Sequence, residues 1–231
     1  MIHPSSISVM VFAAGLGTRM GELTRHQPKP LVQVNGRALL DYALDSVEAF
    51  GPKACVINTH YFADQIHAHV ADRAVIPVYE PELLETGGGV VNAMPHLAGS
   101  PVATMNSDAI WRGGNPLDHV AAHWDDDQMD ALLLCLPKEK AIGYQGAGDF
   151  AIDPQGVVSR SGPFVYTGVQ IIKTAPILEV GERKFSLNTV WDRLIPAGRV
   201  KAVVYDGSWV DVGTPTGIAL GEALLTGGEY D

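Results

Sequence analysis

The sequence predicts an α/β fold with a largely parallel sheet, and two observations lead there. Short runs of β-branched and apolar residues recur as "ISVMVFAA", "ACVINT", "AVIPVY", "PVATMNS" and "DALLLCLP", and segments of helical spacing lie between them. The chain has 231 residues, 46% of them hydrophobic, which is enough to bury a sizeable core in one domain over 1–231.

Taken in order, "ISVMVFAA" is the first strand, and it runs into Gly15 and Gly17. The clearest helix follows "VNGRA": Leu40, Ala43, Leu44 and Val47 recur at i, i+3, i+4 and i+7, and Gly51-Pro52 ends it. In "ELLETGGGVVNAM" a run of glycines opens a helix after the third strand. Beyond Pro137 the pattern changes to a glycine-rich stretch of short strand-like pieces, then the longer strand "FVYTGVQII", so a mixed extension is expected rather than another βα repeat. "FSLNTVWDRLI" reads as a helix, "VKAVVYD" as a strand and Pro215 to about Leu225 as a closing helix, with "TGGEYD" loose at the end.

Composition narrows the function. A formal charge of −10 argues against a broad surface for nucleic acid but leaves room for a small cationic site. No window reaches the ~18 apolar residues of a membrane span, and the N-terminus lacks the charged start and long apolar run of a signal peptide, so a cytoplasmic protein without a membrane partner is expected. Cys55 and Cys135 lie in apolar strand-like runs and read as buried free thiols. His67 and His69 are two apart, which points them to different faces of a helix, and His60 sits at a strand end, so no metal spacing is met. No Ser-His-Asp or Gly-x-Ser-x-Gly pattern for acyl transfer occurs.

The stretch "VMVFAAGLGTRMGELTRHQPKPL" has the makings of an anion site. Glycines after a strand let backbone N–H groups approach an anion, Arg19 offers a planar fork of donors, and Lys29 is fixed between Pro28 and Pro30. It is neither of two familiar phosphate loops. The dinucleotide pattern needs a third glycine where Met20 stands, and the P-loop needs Gly-Lys-Ser/Thr where Met20-Gly21-Glu22 stands. An ordinary strand-to-helix turn with solvated charges is the alternative reading.

"AAGLGTRM" followed by "PKPL" resembles the signature of the sugar-phosphate nucleotidyltransferases, and "LETGGG" resembles their bacterial uridylyltransferase branch acting on N-acetylmuramic acid 1-phosphate. One departure is Gly21-Glu22, where many members have Arg-Pro. The resemblance implies a Rossmann-like three-layer α/β/α domain, GT-A-like, with a mixed, mostly parallel sheet, a nucleotide-binding part over about 1–136 and a sugar-acceptor part over about 137–231. It implies transfer of a nucleotidyl group from a nucleoside triphosphate, UTP in this branch, to a sugar 1-phosphate in cell-wall sugar recycling. A monomer or small homo-oligomer is expected.

The same resemblance implies the site. Arg19 and Lys29 would be the catalytic cations on the phosphates. Ala13, Ala14, Gly15, Gly17, Thr18, Glu85, Thr86, Gly87 and Gly88 would bind the nucleotide, the last glycines by laying backbone against the base, although Thr86 could simply cap a helix. Asp108, past the end of "PVATMNS", and Asp211 in "GSWVDVGTP" would hold Mg²⁺ as the cofactor; two carboxylates suit an ion that completes its octahedron with phosphate oxygens and water. Asn106, Gly148, Asp149, Tyr166 and Thr167 would contact the sugar phosphate, although Tyr166 could equally be core and Asp149 a solvated turn. For Asn188 only a helix cap is suggested. A mannose-1-phosphate guanylyltransferase would share the phosphate and metal elements, and a non-catalytic nucleotide-sensing subunit would lack an Arg, Lys or Asp that is present here.

Overall fold

A computed structural model describes residues 2–227. In chain order it contains β1 (Ser8–Phe12), β2 (Gln33–Val34), β3 (Arg37–Ala38), α1 (Leu39–Phe50), β4 (Ala54–Thr59), α2 (Ala63–His69), β5 (Ile76–Tyr79), α3 (Glu85–Ala93), β6 (Val102–Asn106), β7 (Ala109–Arg112) and α4 (Pro116–His123). It continues with β8 (Ala131–Pro137), β9 (Ala141–Ile142), β10 (Phe150–Ile152), β11 (Val158–Arg160), β12 (Phe164–Ile172), α5 (Thr174–Leu178), α6 (Leu187–Leu194), β13 (Val200–Val204), β14 (Ser208–Asp211) and α7 (Pro215–Thr226). The closing helix thus runs as expected into Thr226, while residues 228–231 of "TGGEYD" lie outside the described residues.

The main sheet follows the order β11-β10-β12-β6-β1-β4-β5, and β12 also pairs with β8, which carries β13. Strands β1, β4, β5 and β6 are mutually parallel, and β13 is parallel to β8. The long strand β12 runs against both β6 and β8, so it joins two parallel sets that point the same way. That is the mixed, mostly parallel sheet predicted, and the region after Pro137 does break the βα repeat.

Alternation along β1 explains the layers. Val9 and Val11 pack with Leu40, Ala43, Leu44 and Val47 of α1 and with Leu117 and Val120 of α4, while Met10, between them, faces Val90 of α3 and Val190 and Trp191 of α6. One sheet therefore has helices on both faces. The predicted apolar stripe of α1 is entirely buried, and Gly51 ends the helix in a left-handed conformation (φ 66°). A small sheet, β7-β14-β9, and α7 form a further apolar cluster with Met20, Val34 and Leu39, just below the opening loop.

Both cysteines are buried and unpaired, and burial pushes the Cys55 thiol up to about 12. No helix among the described residues is long and apolar enough to cross a membrane.

Candidate active site

Strand register builds the site. Phe12 pairs with Asn58 on one side and with Asn106 on the other, so β1, β4 and β6 end level with one another. The loops that leave these carboxyl ends must share one edge, where open α/β sheets hold ligands. A cleft of about 230 Å³ lies there, its wall including Ala13, Ala14, Gly15, Lys29, Glu85, Thr86, Asn106 and Asp108. A second cleft of about 200 Å³ adjoins it and shares Phe12, Thr86 and Asn106.

The opening loop offers unused donors. Ala13 N donates to Asn58 Oδ1 at 2.8 Å, so this N–H is spent within the protein. The N–H groups of residues 14–17, in contrast, donate to no other described residue, and a short helix begins at Thr18. Gly17 has φ 64°, and a Cβ there would come within 2.8 Å of Lys29 Cβ, so a side chain at 17 would strain the turn and push the lysine away. Thr18 is exposed and lines neither cleft. The departure at Gly21 is visible as a kink at φ 57°, ψ −126° inside the short helix.

Lys29 is buried, and its Nζ lies 2.6 Å from Asp108 Oδ2. Asp211 sits opposite Ala109 in the β14–β7 pair, and Val212 N donates to the Asp108 carbonyl at 2.9 Å. Two aspartates far apart in sequence are thereby brought together. Burial pushes the Asp211 carboxyl up, the charge of Asp108 pushes it further, and Lys29 and Arg19 pull it back. Arg19 itself is exposed and does not line the cleft; its guanidinium packs over Gly213, where a Cβ would meet Nη1 at 2.9 Å. Arg19, Lys29, Asp108 and Asp211 therefore form one charge cluster. Among the described residues, no group of three or more His, Cys, Asp or Glu is arranged to hold a metal ion.

Several residues expected to touch ligand are engaged within the protein instead. Gly87 N and Gly88 N donate to the Phe185 carbonyl, at 2.9 and 3.1 Å, and neither glycine lines a cleft. They are small because residues 183–185 cross against them: a Cβ at Gly87 would strike the Phe185 ring, and one at Gly88 the Arg183 carbonyl. Thr86 does not cap its own helix; its Oγ1 accepts from Leu187 N at 2.9 Å, across the site, at the start of α6. Thr167 points into the core, its hydroxyl donating to the Leu134 carbonyl at 2.8 Å. Gly148 lines no cleft and serves a backbone crossing at Gly162.

Asp149 and Tyr166 do line the second cleft, with Asn106. Asp149 is no solvated turn: its carboxylate accepts from the Tyr144 hydroxyl at 3.2 Å and from Tyr166 N at 2.9 Å. The Tyr166 ring meets Trp191 edge-on, and burial raises the ionisation of its hydroxyl far above the ordinary tyrosine value. Thr104 and Gln170 lie near enough to that hydroxyl to act against the rise, yet Thr104 Oγ1 and Gln170 Nε2 make no well-formed hydrogen bond.

Three participants were not expected. Glu80, almost fully buried, accepts from Asn58 Nδ2 at 2.8 Å and from Leu84 N at 3.2 Å, which ties the opening loop to the segment before α3. Burial raises its carboxyl, and those two hydrogen bonds lower it. Arg160 lines the second cleft, as does Asn188, whose amide donates to Ser186 Oγ at 3.1 Å; Ser186, not Asn188, caps α6. The histidines are satisfied locally: His60 Nδ1 meets the Glu80 carbonyl, His67 Nε2 the Thr59 hydroxyl and His69 Nε2 Asp41.

The family model for the MobA-like NTP transferase domain matches residues 9–166. The chain belongs to this family. It is therefore a nucleotidyltransferase, as the loop and the paired charges indicated. It is 39% identical to an N-acetylmuramate alpha-1-phosphate uridylyltransferase from Caulobacter vibrioides, over 94% of this chain and 96% of that one. To a protein of the same name from Neisseria meningitidis it is 29% identical, over 94% of this chain and 98% of that one. Among solved structures, HddC from Yersinia pseudotuberculosis complexed with GMP-PN superposes with a TM-score of 0.77 at 23% identity, covering 95% of this chain and 99% of that one. The inositol-1-phosphate CTP transferase from T. maritima superposes at 0.79 and 16% identity, covering 98% and 99%. This nucleotidyltransferase thus has the Rossmann-like fold that the resemblance implied.

Proposed function

We propose that the transferase couples UTP to N-acetylmuramic acid 1-phosphate, giving the nucleotide-sugar and pyrophosphate, within cell-wall sugar recycling in the cytoplasm. The observation that carries this reading is a pair of adjoining clefts with Lys29 and Asp108 in one, Asp149 and Tyr166 in the other, and Asn106 in both. The relative at 39% identity supports the choice of base and sugar.

In the reaction, an oxygen of the sugar 1-phosphate attacks the α-phosphorus of the triphosphate. The bond from that phosphorus to the bridging oxygen breaks, and pyrophosphate leaves with the electron pair. No covalent enzyme intermediate is needed, so catalysis rests on positioning and charge neutralisation. The free N–H groups of residues 14–17 would receive phosphate oxygens. Lys29, with three ammonium donors and one spent on Asp108, would face the transferring phosphate, and Arg19 the leaving pyrophosphate. Asp108 and Asp211 fit Mg²⁺, because two hard oxygen donors already held together gain from a shared dication. When bound, the ion would offset charge on the phosphates.

The test is pyrophosphate release from a matrix of the four ribonucleoside triphosphates and a panel of sugar 1-phosphates, with and without Mg²⁺. UTP with N-acetylmuramic acid 1-phosphate should turn over fastest, and chelation of Mg²⁺ should abolish release. A tenfold advantage for GTP with mannose 1-phosphate would replace this reading with the guanylyltransferase, and no release from any pair would replace it with a nucleotide sensor.

A further inference from the structure

The second cleft contains one guanidinium, that of Arg160 at the end of β11. Its position is tightly defined. Nε donates to Asp192 Oδ1 at 2.8 Å and Nη2 to the Asn188 carbonyl at 3.3 Å, while the guanidinium carbon stands 5.0 Å from the centre of the Phe150 ring and 5.5 Å from that of Trp191. Two aromatic faces and two acceptors hold the fork in place, and Nη1 makes no hydrogen bond to another described residue.

The surrounding charges give this open donor a meaning. Asp149, the acidic residue in the same wall, has both carboxylate oxygens engaged by Tyr144 and Tyr166. Asp192 is largely exposed, and a rim pair of that kind contributes little stability. The ion pair alone therefore accounts for little of what Arg160 does in the cleft. Lys29 lines only the first cleft and Arg160 only the second, with Phe12, Thr86 and Asn106 between them. An acceptor whose phosphate lies by Lys29 would meet a second cation at the other end of its sugar.

We infer that Arg160 is a specificity residue that binds a carboxylate on the acceptor sugar, selecting a hexosamine 1-phosphate that bears an acidic ether over its neutral counterpart. The inference rests on the proposed acceptor, since the lactyl ether is what distinguishes N-acetylmuramic acid from N-acetylglucosamine. A guanidinium fork matches a carboxylate in shape as well as charge.

The experiment compares kcat and KM for N-acetylmuramic acid 1-phosphate and N-acetylglucosamine 1-phosphate, at saturating UTP, in the wild type and in Arg160→Gln, Arg160→Lys and Asp192→Asn. In Arg160→Gln, KM for the acidic sugar should rise at least tenfold and the preference over the neutral sugar should fall by a similar factor, while KM for UTP moves less than twofold. Arg160→Lys, which keeps the charge, should recover part of the preference. Calorimetric titration of each sugar phosphate gives the same comparison without turnover. An Arg160→Gln enzyme that keeps the full preference would overturn the inference alone. Equal collapse in Asp192→Asn would also overturn it, because the effect would then belong to the ion pair. A wild type that does not use the acidic sugar at all would overturn both this inference and the proposed function.

Discussion

At the scale of single residues, the decisive object is the Lys29 ammonium. It is buried, and the carboxylate beside it at 2.6 Å is itself next to a second one, so it offsets negative charge before any phosphate arrives. Lys29→Met keeps the stem that packs against Gly17 and removes the charge. The variant should fold, and turnover should fall by roughly 10²-fold or more, the scale of losing a contact to developing charge. Steady-state kinetics with a circular dichroism control checks this, and wild-type turnover would leave Lys29 as a structural lysine between two prolines. Residue-scale reading of the sequence reaches furthest where the candidate chemistry is written in one short segment, as in Gly15 to Lys29. It did not foresee the neighbours of Gly87, Gly88 and Thr167, because Phe185, Arg183 and Leu134 come from distant segments. Glycine at a tight backbone crossing and glycine beneath a ligand are spelled the same way.

At the scale of elements, helix α1 and the strands were legible because burial on one face or two writes a period into the sequence. The clamp that aligns the later strands was not. Asp130, just before β8, receives Arg199 Nε and Nη2 at 3.0 and 2.8 Å and lies 3.1 Å from Lys173 Nζ, so one carboxylate binds the ends of β8, β12 and β13. The hydrogen bonds from Arg199, then those from Lys173, hold its carboxyl below its ordinary 3.8. A depressed carboxyl contributes stability that is complete above its unfolded value and is lost as the pH falls through the folded one. Asp130→Asn should therefore cost about 1–2 kcal/mol at neutral pH, lowering Tm. The difference from wild type should shrink only below pH 3.8, which thermal melts across that range would reveal. A Tm gap that persists unchanged in strong acid would show that the clamp does not work through ionisation.

At the scale of the whole molecule, the order of motifs along the chain was enough to anticipate that Asp108 and Asp211 meet, but only the pairing of β7 with β14 supplies the means. Asp108→Asn and Asp211→Asn should each raise the Mg²⁺ concentration needed for half-maximal turnover. The double variant should lose less than the product of the single losses, since groups serving one ion act as a unit. Multiplicative losses with an unchanged Mg²⁺ requirement would argue for two separate duties. Glu80 and Arg160 remained hidden in the sequence for a related reason: an isolated charge carries no sign that the fold will bury it behind a loop or lay it over two rings.

The wall common to the two clefts has a consequence for how such an enzyme can change. Phe12, Thr86 and Asn106 each line both clefts, so a substitution at any of them alters two recognition events at once. Glu85 lines only the first cleft and Arg160 only the second. In genetic terms the three central positions are pleiotropic and the outer ones modular. A new preference for base or for sugar is therefore most accessible from the ends of the groove, one end at a time, with its middle held constant.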